Sequence, residues 1–137
     1  MYDAGKPALF ARIIRIAEDY SNMSARRGGG FNPHETLARM AAASGERYDP
    51  HLFQSFVNLM GKYPPGTLLD IEVPLSTGTY TFIMMSSSLV RSPETFAKPL
   101  CRLIQLPDGS DCPASYGEKL LDLALRPHKI VGVRSRI

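Results

Sequence analysis

The chain has 137 residues, 44% of them apolar and 21% charged, which excludes disorder and collagen-like structure and amounts to about one globular domain. A chain of this size buries roughly two-thirds of the surface its unfolded form exposes, enough for one modest core and not for two large ones. Sixteen Lys and Arg against thirteen Asp and Glu leave a net +3, too weak a field to argue for DNA or RNA as a partner.

The first element predicted is an amphipathic helix from Pro7 to about Ser24. Leu9, Phe10, Ile13, Ile14, Ala17, Tyr20 and Met23 recur near the 3.6 period, and Arg12, Arg15 and Asp19 take the other face. Arg26-Arg27-Gly28-Gly29-Gly30 ends it, because consecutive glycines lose the most backbone entropy on ordering. A second helix starts at Asn32-Pro33-His34-Glu35, where Asn can cap, Pro suits the first helical position and Glu completes a capping-box pattern. It is expected to run to about Ser44 and stop at Gly45. Asp49-Pro50 repeats the start signal, and Leu52, Phe53, Phe56, Val57, Leu59 and Met60 make a strongly apolar third helix ending at Gly61.

After Tyr63-Pro64-Pro65-Gly66 the pattern changes to strands. Leu68 to Val73 and Thr79 to Met85 are β-rich runs separated by Pro74-Leu75-Ser76-Thr77-Gly78, a hairpin-like spacing. Leu100 to Leu106 is a third strand, closed by Pro107-Asp108-Gly109, and Lys129 to Arg134 a fourth. Glu118 to Leu125 fits either a short helix or a strand. The fold class expected is therefore α+β, three N-terminal helices followed by a small antiparallel β lobe. The helical lobe takes 1–62 and the β lobe 63–137.

No apolar stretch approaches the 18 or so residues that span a bilayer, and the N-terminus lacks a basic region before an apolar one, so the chain is expected to be cytoplasmic with no membrane partner. Cys101 and Cys112 could pair but make no framework and lack the companions of a zinc site; free thiols are the expectation.

Catalytic signatures are absent. There is no Gly-x-Ser-x-Gly elbow, no phosphate-binding loop, and His34-Glu35 is followed by Ala38 where a second metal-binding His would stand. His34, His51 and His128 fall in separate elements, where histidine is ordinarily a surface or capping side chain. Glu18 and Asp19 are adjacent but about 100° apart on a helix, so they cannot face one site together; Glu18 flanks the apolar stripe and is placed nearer the interior. Arg26-Arg27 before the glycines suits a phosphate, although a solvated loop fits equally well. Arg126, Lys129, Arg134 and Arg136 follow the last acid, Asp122, as a basic tail.

Two stretches resemble the C-terminal part of HD-GYP domains, bacterial metal-dependent phosphohydrolases of the HD superfamily that hydrolyse cyclic di-GMP. One runs from Ala11-Arg12-Ile13-Ile14 through Ala17-Glu18-Asp19-Tyr20. The other runs from Asn32-Pro33-His34-Glu35 through Gly45 and Asp49-Pro50 to Gly61-Lys62-Tyr63-Pro64-Pro65-Gly66-Thr67. Together they cover roughly residues 9 to 73. The resemblance implies the closing helices of an HD bundle followed by a small β appendage. It also implies a divalent metal, Fe or Mn, although the family's His-Asp doublet, further histidine ligands and Gly-Tyr-Pro motif have no counterpart in this sequence.

By the same resemblance, Glu18 stands where the family has its last metal-binding Asp, Ser21 stands at the family's second Asp, and Arg27 keeps one of two basic residues that approach the substrate phosphate. The expectation is a C-terminal fragment or truncated form of an HD-GYP-like phosphohydrolase, not catalytic alone. It would meet a cyclic dinucleotide only together with an upstream domain, and would self-associate or bind a partner protein through exposed helix faces. The alternative is a signalling module that binds a protein or ligand through the basic β lobe.

Overall fold

A computed structural model describes residues 9–24, 32–113 and 119–135. Three helices lead: α1 (Leu9–Ser24), α2 (Pro33–Ala42) and α3 (Pro50–Met60). Five strands follow: β1 (Leu68–Leu75), β2 (Gly78–Ser86), β3 (Leu100–Gln105), β4 (Leu120–Asp122) and β5 (Lys129–Arg134). They form one antiparallel sheet in the order β4-β3-β2-β1-β5, so the last strand returns to pair with the first. The α+β arrangement of three helices and then an antiparallel sheet is as expected.

The helix starts follow local chemistry. The Asn32 side chain accepts from the Glu35 amide, and that of Asp49 accepts from the His51 and Leu52 amides; each satisfies donors that the first helical turn leaves without partners. The Glu35 carboxylate accepts from Arg39 one turn on at 3.1 Å. Helix α2 stops at Ala42, short of Ser44. The chain there turns through Gly45 at φ +91° into a short bridge between Ser44 and Tyr48, and the Gly45 amide donates to the Tyr48 carbonyl. Helix α3 ends at Gly61 as expected, with φ +87°, a conformation that favours glycine.

Strand β3 ends at Gln105, one residue earlier than its apolar run, and the sheet has a strand more than the four expected. The ambiguous segment contains both structures in succession, β4 over Leu120–Asp122 and a single 3₁₀ turn over Leu123–Leu125. Asp122 ends the strand by accepting from the Ala124 amide, which caps the turn. Because β4 and β5 are opposite edges of the sheet, the connection between them must cross one face, and Leu123, 1% exposed, lies in the sheet's core as it does so.

Buried side chains gather in two clusters. Leu69, Ile71, Val73, Met84, Cys101, Leu103 and Leu123 make the sheet's core, with alternate β1 residues pointing inward at the strand period of two. Ile16, Met40, Tyr48 and Phe53 make the helical one. Backbone bonds tie the end of α3 to the connection between β2 and β3. The Val90 amide donates to the Leu59 carbonyl and the Lys62 amide to the Phe96 carbonyl.

Candidate functional site

Glu18 is exposed on α1, which corrects the expectation that it lies nearer the interior. Only Ile16 of α1 is buried, so the covered arc of the helix centres there, and Asp19 falls on its flank. The inward carboxylate is thus Asp19. Its Oδ2 accepts from Arg47 Nε at 2.6 Å and from the Tyr48 hydroxyl at 2.8 Å, and its Oδ1 accepts from Arg47 Nη2 at 3.2 Å. The Arg47 bonds hold the Asp19 carboxyl below its ordinary value; burial pushes the other way, and the Tyr48 hydroxyl adds to the lowering. Tyr48 is raised by burial and by donating to that carboxylate.

Glu18 lines an open cavity of about 510 Å³ with Phe10, Ile14, Arg15, Asp19 and Arg47. The residues described here do not fit a divalent cation. Two guanidinium groups share the cavity with Glu18, its neighbouring carboxylate is already engaged by Arg47 and Tyr48, and no group of three His, Cys, Asp or Glu converges among the described residues. Arg27, the predicted phosphate contact, lies outside the described residues, as does Arg136 of the basic tail.

A second ion pair fixes α1. Arg12 Nη1 donates to Asp49 Oδ2 at 2.6 Å, tying α1 to the cap of α3. Burial pushes the Asp49 carboxyl up, but the Leu52 and His51 amides together with Arg12 outweigh it and leave the group below its ordinary value.

The histidines do not converge. His34 Nδ1 donates to the Lys62 carbonyl at 2.7 Å and its ring stacks on Tyr63, which makes it part of the helix–sheet junction. His51 contributes its amide to the α3 cap. His128 Nδ1 donates to the Arg126 carbonyl at 3.0 Å. Both cysteines are free, and burial pushes the Cys101 thiol up to about 12, which keeps it protonated and inert.

The basic tail divides. Arg134 pairs with Asp70 at 3.4 Å, and Lys129 sits opposite Glu72 in the β1–β5 register. Arg126 instead borders a cavity of about 490 Å³ with Lys98, Leu123, Leu125 and His128. Sequence reasoning missed this grouping because Lys98 lies in the approach to β3 and nothing local marks it as a neighbour of the β4–β5 connection.

A cyclic di-GMP phosphodiesterase of Pseudomonas aeruginosa is 34% identical to this chain over 67 residues, which is 47% of this chain and 16% of that protein. The chain thus spans a small part of the relative's length. No family model matches the chain. No solved structure matches it. The partial match indicates at most a relationship to HD-GYP proteins. Among the described residues no helix is long and apolar enough to cross a membrane.

Proposed function

We propose that this chain supplies the closing helices and the β appendage of an HD-GYP-like phosphohydrolase, and that it does not hydrolyse cyclic di-GMP alone. The observation that carries the reading is the 34% identity over 67 residues to a protein named for that reaction. In this reading the chain divides near residue 62, with helices before and the sheet after. By the resemblance Glu18 stands at one position of the family's metal-binding set, but with Arg15 and Arg47 in its cavity it does not hold a cation in this chain, and Arg27 stands at a phosphate-contact position. Cleavage of a phosphodiester by two cations needs ligands that hold both metals and an activated water. The sequence has no His-Asp doublet and no Gly-Tyr-Pro motif to provide them.

The purified chain, incubated with cyclic di-GMP and Mn²⁺ or Fe²⁺, is therefore expected to release no linear dinucleotide by chromatography. It is also expected to show no pair of tight Mn²⁺ sites by paramagnetic resonance. Turnover, or two tightly bound ions per chain, would overturn the proposal.

A further inference from the structure

Beyond the phosphohydrolase reading, and without resting on it, the geometry points to a binding site for a phosphate-bearing small molecule between the approach to β3 and the β4–β5 connection. The cavity there, about 490 Å³, is a depression open to solvent, with room for a small ligand to rest against its walls. Lys98 comes from one wall and Arg126 and His128 from the other. Neither Lys98 nor Arg126 has an ion-pair partner among the described residues. No carboxylate is among the described residues that line the cavity, and Asp122, four residues before Arg126, is already neutralised: Arg91 donates to both its oxygens, at 2.8 and 3.1 Å, and the Ala124 amide donates at 2.9 Å. An excess of positive charge is therefore left facing the cavity, which is the condition for anion recognition.

The walls are held in place. Arg91 Nη2 also donates to the Lys98 carbonyl at 3.0 Å, so one guanidinium ties the Lys98 segment to the start of the 3₁₀ turn. Leu123, buried in the sheet's core, anchors that turn from below. A carbonyl only accepts, so the bond from His128 to the Arg126 carbonyl places the hydrogen on Nδ1. It leaves Nε2 free to accept from a ligand hydroxyl. Leu125, 83% exposed, lines the same cavity and offers apolar surface to the body of a ligand whose phosphate sits among the cations.

The test is amide chemical-shift mapping of the whole chain titrated with inorganic pyrophosphate and, separately, with AMP. Shifts are expected at Lys98 and along residues 123–128. K98A and R126A should each weaken pyrophosphate binding about tenfold, the loss of one charge-assisted contact. R102A removes the same charge from an exposed position on β3 outside the cavity and should change it less than twofold. L125S should weaken AMP and leave pyrophosphate unchanged. Absence of shifts at these residues, or an R102A loss as large as that of R126A, would show only diffuse attraction and overturn the site. Unchanged AMP binding in L125S would overturn its apolar half. All four substituted side chains are exposed, and the remaining amide spectrum of each variant reports an intact fold.

Discussion

Asp19 joins α1 to the turn before α3 through one carboxylate that accepts from Arg47 twice and from Tyr48 once. Because its carboxyl, like that of Asp49, is held below the ordinary value in the folded chain, the unfolded chain takes up protons first as the pH drops. The stabilisation from both groups is complete above about pH 5, where an unperturbed Asp is fully ionised, and is lost as the pH falls through the unfolded and then the lower folded values. Acid unfolding followed by far-ultraviolet circular dichroism should therefore begin below about pH 5. Asp19→Asn keeps the shape but removes the charge that Arg47 and Tyr48 address. Arg47 is half exposed and screened by solvent, so the expected loss at pH 7 is only about 1 kcal/mol, together with a flatter acid limb. An acid limb unchanged in the variant would show that Asp19 contributes nothing to it.

Among the elements, the end of α3 carries the junction to the sheet, and Gly61 is the residue it depends on. A Cβ there would stand 3.0 Å from Val90 Cγ2 and 3.1 Å from the Phe96 carbonyl oxygen, and φ is +87°. Gly45 has a similar φ of +91° with open space around it. Gly45→Ala thus isolates the conformational strain, about 1 kcal/mol. Gly61→Ala adds crowding against the branched Val90 side chain and the Phe96 backbone oxygen, for a total of about 2–4 kcal/mol in urea denaturation. Equal losses in the two variants would refute the steric part.

The caps at Asn32 and Asp49 and the stop at Gly61 were legible because each signal lies within a few residues of its effect. The same holds for the change to strand periodicity after Thr67. The switch from β4 to a 3₁₀ turn was not, since Asp122 both caps the turn and receives Arg91 from another loop. Nor could a helical wheel tell that Asp19, and not Glu18, faces inward. The apolar arc of α1 is wider than the part its neighbours cover, and which part is covered is a tertiary fact. Lys98 and Arg126 meet for the same kind of reason, through chain crossing that no local pattern announces.

At the scale of the whole molecule, that uncovered arc is the feature with the largest consequence. Helix α1 is held by Ile16, by Tyr20 and Met23 packed on the helical core, and by the Arg12–Asp49 and Asp19–Arg47 pairs, while Leu9, Phe10, Ile13 and Ile14 stay between 38 and 75% exposed. Full burial of such side chains is favourable by about 1.5–3 kcal/mol each, so a substantial part of the helix's apolar surface remains in water. A stripe from one helix is small beside the area of a stable dimer interface, which predicts association that is weak and rises with concentration. Sedimentation velocity over a hundredfold range of protein concentration should show the average mass increasing. Phe10→Ser with Ile14→Ser should return it to that of one chain, and because both side chains are exposed the circular dichroism of the variant should match the parent. A parent chain that stays monomeric throughout that range would show that this face does not recruit a second copy.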